Sequence, residues 1–128
     1  MERRLIPAVS RYAQDVGYSR AIAVGPHIFV SGTAPVMPDD ADPPPDAYGQ
    51  ARRCLEIILA ALAELGARPE HVVRTRIFLT RAEDIDEVGR AHAQVFGDVH
   101  PATTGLVVAG LLDPRWLVEI EADAVVGE

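Results

Sequence analysis

Three carboxylates in alternate positions, Glu119, Glu121 and Asp123, carry the most chemistry in this sequence. The residues between and around them, Val118, Ile120, Ala122, Ala124 and Val126, are apolar. A strand over this stretch therefore presents acids on one face and aliphatic side chains on the other. Neighbouring acids repel, so that face must meet water, cations or a second subunit. Such acids could serve a ligand or water-activating role. A solvated or interface-facing strand edge is the plainer alternative. Residues 103–109 (TTGLVVA) read as another strand. The turn at residues 111–115 (LLDPR) is expected to return it beside the acidic one, with any functional pocket next to that pair.

Other familiar chemistry is missing. The four histidines, His27, His71, His92 and His100, are scattered, with no HExxH and no cysteine partner, so no metal site is assigned. No GxGxxG, GxxxxGK[ST] or GxSxG occurs, which leaves nucleotide-phosphate loops and a nucleophile elbow without a signal. Asp39, Asp40 and Asp42 could suggest calcium, but the loop lacks the EF-hand spacing and its terminal glutamate, so a solvated acidic loop is expected.

The 128 residues are expected to form a single domain over 1–128. A net charge of −7 argues against nucleic-acid binding, which needs a basic face, yet leaves room for a small anion held by one arginine. The apolar run 57–63 is far too short for a bilayer span, and charge at Glu2, Arg3 and Arg4 is followed by no signal-peptide core. The lone Cys54 can form no internal disulfide. No membrane association is expected, and a cytoplasmic location is.

The elements that must position these groups follow in order. Residues 1–15 read as an extended arm ordered on the rest. Residues 21–24 and 27–31 form a hairpin about Gly25-Pro26, and Gly32 marks a bulge or a close backbone approach. Residues 35–46, with five prolines and four aspartates, read as a mobile surface loop. Residues 48–65 are the clearest helix, with Ala51, Cys54, Leu55, Ile58, Leu62 and Leu65 on one stripe and Gly66 as its stop. Residues 72–79 form a strand with Arg74 and Arg76 on one face, placed to neutralise the acids across the sheet. Thr80 and Glu83 suggest a capping box opening a second helix to about Phe96, with Ile85, Val88, His92, Val95 and Phe96 inward. Two helices on one face of a sheet make an α+β two-layer sandwich.

Five separated stretches resemble, in order, segments of one family. GYSRA at 17–21 is similar to its PYSxA, FVSGTAP at 29–35 to its FVSGQxP, and VRTRIFL at 73–79 to its VKTTVFL. PATT at 101–104 is similar to its PARS/T, and VEIEA at 118–122 matches outright. On these residues the chain resembles the Rid (YjgF) family of imine/enamine deaminases, also named L-PSP endoribonucleases, over about residues 17–126. The resemblance implies a chorismate-mutase-like subunit with a mixed sheet, assembled as a homotrimer with a small-molecule pocket at each subunit interface and no cofactor. In active members an arginine in PARS/T grips the carboxylate of a 2-imino acid, and a glutamate with ordered water assists hydrolysis to a 2-oxo acid and ammonia.

Here Thr103 stands at that arginine and Gly89 at a common asparagine, whereas Tyr18, Ser31, Gly32 and Glu119 stand where the family has them. The implied site is Glu119 as catalytic group, with Tyr18, Ser31, Gly32, Gly89 and Thr103 around the substrate. A threonine cannot reproduce a bidentate guanidinium grip, so the usual 2-imino acids are disfavoured. Its hydroxyl offers one hydrogen bond, suited to a neutral carbonyl or amide. Arg20, Arg90 or Arg115 reaching the cleft would favour an anion instead. The expected function is hydrolysis of an imine- or enamine-type metabolite. The alternative is a non-catalytic ligand-binding or regulatory module on the same scaffold. Ribonuclease activity is disfavoured by the charge and by the lack of a catalytic histidine pair.

Overall fold

The computed structural model describes residues 2–10 and 12–127. Stretches of alternating or β-branched residues form the strands β1 (Arg3–Pro7), β2 (Ser19–Val24), β3 (His27–Thr33), β4 (Val72–Leu79), β5 (Ala102–Val107) and β6 (Val118–Val125). They make one mixed sheet in the order β1-β2-β3-β6-β4-β5. Every pairing is antiparallel except β4 with β5, which is parallel. The hairpin forms as expected, with Val24 opposite His27 and Gly25 supplying a positive φ of 58°. The N-terminal arm is more than an appendage, since β1 adds an edge strand on β2.

Helices α1 (Ala47–Glu64) and α2 (Ile85–Phe96) pack on one face. Asp46 caps α1 by accepting from the Gly49 N–H, and Gly66 follows the helix with φ of 83°. The expected stripe holds: Ala51, Cys54, Leu55, Ile58, Leu62 and Leu65 are all buried. They meet Ala21, Ala23, Ile28 and Val30 of the hairpin and Val118, Ile120, Ala122 and Ala124 of β6. The Cys54 thiol points at the Val118 carbonyl and is fully covered, which pushes its pKa up.

Two expectations fail. β5 does not return beside β6; it runs parallel to β4 at the far edge, with Thr103 opposite Thr75. The chain from β5 to β6 thus crosses over β4, and β6 inserts between β3 and β4. The alternation that identified both strands carries no information about which neighbour each takes. Nor is there a capping box at Thr80. The Thr80 N–H bonds the Leu117 carbonyl, a 3₁₀ turn spans Ala82–Asp84, and α2 begins only at Ile85. Asp84 is buried there and accepts two bonds from Arg81. As a result Ile85 is 42% exposed rather than inward, although Val88, Val95 and Phe96 do join or abut the core.

The loop before α1 is anchored at both ends. Ala34 and Pro35 are buried, and Arg115 reaches Asp42 at 2.9 Å, Asp40 at 3.5 Å and Asp113 at 2.9 Å. Among the described residues no helix is long and apolar enough to cross a membrane.

Ile58 sits at the centre of the α1 contact with no exposed surface. Ile58→Ala is expected to lower unfolding free energy by about 2–5 kcal/mol, the loss of buried methylenes plus a cavity. Urea denaturation followed by circular dichroism would measure it; a loss below about 1 kcal/mol would mean that α1 carries little of the core.

Candidate functional site

The bare face of the sheet is where the acids lie. Glu119, Glu121 and Asp123 stand opposite Phe78, Arg76 and Arg74 in the β4–β6 register. Arg76 bridges Glu121 at 2.8 Å and Asp123 at 3.7 Å, so the expected neutralisation across strands is present for Arg76. These charges are about a third exposed, and each pair adds on the order of 0.2–1 kcal/mol. Leu5, Ile22 and Phe29 continue this face across β1, β2 and β3.

Glu119 differs from its neighbours because the β3–β6 ladder is irregular between Val30 and Thr33. The bulge brings Gly32 under the Glu119 carboxylate so closely that a Cβ on Gly32 would collide with it. A larger residue at this position would force the Glu119 carboxylate to move aside. Arg20 secures the bulge from below, its Nη2 donating to the carbonyls of Ser31 at 2.9 Å and Gly32 at 2.6 Å. Its Nε is buried without a hydrogen-bond partner among the described residues. Burial raises the Glu119 pKa, Arg20 pulls it down, and Glu121 raises it further, for a net rise. Glu119 is thus a carboxyl that holds its proton to higher pH than an ordinary one.

The Ser31 hydroxyl donates to the Ser19 carbonyl at 2.8 Å and so ties β3 to β2. Tyr18 is half-buried at the start of β2, and its N–H closes a single π turn over Ala13–Gly17. Tyr18, Ser31, Gly32 and Glu119 therefore gather around Arg20, which interacts electrostatically with both Tyr18 and Glu119.

Thr103 and Gly89 lie elsewhere. Thr103 is exposed on β5, two strands across from Glu119 and on the helix side of the sheet. Its hydroxyl lies 2.8 Å from that of buried Thr75, which lies 2.8 Å from His92 Nε2 on α2. Gly89 lies one turn before His92, and a Cβ there would meet nothing within 4 Å. The chain thus separates the expected residues into two groups. His92 was legible as an inward residue of α2, but its bond to Thr75 required knowing that β4 and α2 are in contact. Arg115 and Arg90 do not join either group: Arg115 is held by three aspartates, and Arg90 lies 3.9 Å over the Tyr48 ring. Among the described residues no cluster of three or more His, Cys, Asp and Glu could hold a metal ion.

A family model described as Endoribonuclease L-PSP matches residues 9–126. The chain belongs to the L-PSP (Rid/YjgF) family. An uncharacterised Streptomyces coelicolor protein is 38% identical over 124 residues, covering 97% of this chain and 92% of that one. Escherichia coli K12 TdcF, named as a candidate reactive intermediate deaminase, is 31% identical over 111 residues, covering 84% and 85%. Among solved structures, Mycobacterium tuberculosis Rv2704, titled a member of the YjgF/YER057c/UK114 family, is 41% identical with a TM-score of 0.89, covering 98% of this chain and 100% of that one. The fold of this L-PSP-family chain is thereby matched along nearly its whole length.

The raised carboxyl has a consequence for stability. A carboxyl that binds its proton more tightly when folded disfavours the folded state as pH climbs through and above its folded pKa. Glu119→Gln is therefore expected to raise the thermal midpoint more at about pH 8 than in acid. The gap should close below about pH 4, where even the unfolded chain is protonated. Calorimetry across this range would test it, and a gap that widened on acidification would contradict the assignment.

Proposed function

We propose that this L-PSP-family protein hydrolyses a small imine or enamine that lacks a carboxylate, in a cleft between subunits of a homotrimer. The observation that carries the reading is the Glu119 carboxyl, half-buried over the Gly32 bulge with its pKa raised. Such a group can give a proton to an imine nitrogen and accept one from an attacking water. Protonation makes the C=N carbon electrophilic. Water adds there as the π electrons move to nitrogen, and its proton passes to the Glu119 carboxylate. The same proton returned to nitrogen lets the C–N bond break as the hydroxyl gives its own proton to the Glu119 carboxylate, which releases ammonia, leaves a carbonyl and restores the acid. No step draws on a cofactor or metal.

Self-association is supported by the uncovered sheet face and the edge strand. Leu5, Phe29, Val73, Leu106 and Val107 are large apolar residues left exposed beside a row of half-buried charges. A second copy covering them would also bring its Thr103 group toward a neighbour's Glu119 group, which one chain keeps apart. Light scattering is expected to return a trimer at micromolar concentration. A stable monomer would remove the shared cleft.

Arg20, the one candidate arginine beside Glu119, spends its Nη2 on the Ser31 and Gly32 carbonyls, so Thr103 sets the substrate class. Where relatives of the resembled kind hold an arginine, this side chain has no charge to match an anion. With an imine generated in situ by an amine oxidase from an amine lacking a carboxylate, ammonia release should exceed the spontaneous rate. Glu119→Gln should return it to that rate. Hydrolysis of 2-iminobutanoate should stay near the spontaneous rate, and Thr103→Arg should improve it by roughly ten- to a hundredfold. Thr103 is exposed at an edge, so the larger side chain can be accommodated. Fast 2-iminobutanoate hydrolysis by the natural sequence would overturn the substrate assignment. Ligand binding with no turnover of either imine would favour a non-catalytic module.

A further inference from the structure

The side chains around Thr103 specify more than the loss of an arginine. Thr103 Oγ1 lies 2.8 Å from Thr75 Oγ1 and 3.2 Å from the Pro101 carbonyl, which can only accept. Thr75 Oγ1, fully buried, lies 2.8 Å from His92 Nε2. Each hydroxyl has one proton to give. If Nε2 of His92 bears a proton, the bonds run His92 to Thr75 to Thr103 to the Pro101 carbonyl. If Nε2 is bare, they run Thr103 to Thr75 to His92. Either direction turns the single Thr103 proton inward and leaves only lone pairs facing solvent. Turning it outward abandons one of these internal bonds.

There is also room for a ligand to reach those lone pairs. Ile85, Gly89 and His92 fall one turn apart on the face of α2 that meets β5. Ile85 approaches Gly105, with 3.6 Å between its Cδ1 and a Cβ built there, while His92 connects to Thr103 through Thr75. Gly89, between them, leaves open space, with nothing within 4 Å of a Cβ. Thr103 Oγ1, exposed on the helix side of the sheet edge, is therefore an oxygen that accepts and does not donate.

The geometry points to a site that selects its ligand by an N–H or O–H presented to Thr103. The ligand class is a neutral imine, enamine or lactam N–H, or an ammonium. Carboxylates and ketones, which offer Thr103 only further lone pairs, are disfavoured at this point by the internal hydrogen bond they would cost. The donor sense is opposite to that of an arginine, and opposite to a hydroxyl free to serve a carbonyl. This inference deepens the proposed function and rests on its placing Thr103 in the ligand cleft.

The test uses pyrrolidin-2-one and N-methylpyrrolidin-2-one, which share a ring and carbonyl and differ in the N–H. Amide shifts of Thr103 and Glu119 are followed in ¹H–¹⁵N spectra of the intact oligomer. The N–H lactam is expected to bind about five- to tenfold more tightly, the contribution of one hydrogen bond. Thr103→Val, nearly isosteric, should erase the preference by weakening the N–H lactam, and Thr103→Ser should keep it. Equal binding by the natural protein, or a preference that survives in Thr103→Val, overturns the inference while leaving the cleft in place. Failure of both lactams to shift Thr103 or Glu119 overturns the cleft reading itself, and the inference falls with it.

Discussion

The central strand β6 lies between β3 and β4 and must satisfy two environments at once. Val118, Ile120, Ala122 and Ala124 vanish beneath α1, while Glu119, Glu121 and Asp123 stand on the uncovered side. A one-residue slip would exchange these sets, driving three carboxylates into the aliphatic core. The cross-strand arginine opposes the same slip from the other side, because Arg76 finds Glu121 and Asp123 only in this register. The position of every strand to either side follows from this alignment, as does the face to which the helices are confined.

The same strand supplies the carboxyl with altered acidity, and it does so by a backbone irregularity. Where β3 bulges at Gly32, the ladder opens enough for Glu119 to fold over main chain that would otherwise be paired. Arg20 stabilises the bulge through two carbonyl bonds and lies close enough to Glu119 to moderate, without cancelling, the effect of burial. Glu121 is one pleat further along, bonded to Arg76, and lacks this combination. Among the three acids, Glu119 alone is seated against the Gly32 bulge.

Much of this was legible in the residues themselves. The period of two over 118–126, the helical stripe over 48–65 and the turn at Gly25 each encode a local geometry, and each formed. The glycine after Ser31 announced the bulge. What the residues did not encode was partnership. Edge strand β5 has the same local signature whether it lies beside β6 or parallel to β4, and the crossover that decides this depends on the whole sheet. The capping pattern at Thr80 failed for a related reason, since its N–H was already engaged by Leu117. Family resemblance drew attention to Thr103, but the hydrogen-bonded chain through Thr75 to His92 joins it to two other elements and was not legible in the sequence.

Cys54 gives the central packing a chemical reporter. The chain's lone thiol is sealed between α1 and β6, and burial keeps it in the unreactive protonated form. An alkylating reagent or oxidant cannot reach it until α1 lifts from the sheet. Its modification rate in the native protein is therefore a clock for that opening. Mild oxidants that attack surface thiols will leave this thiol untouched for as long as the helix remains seated.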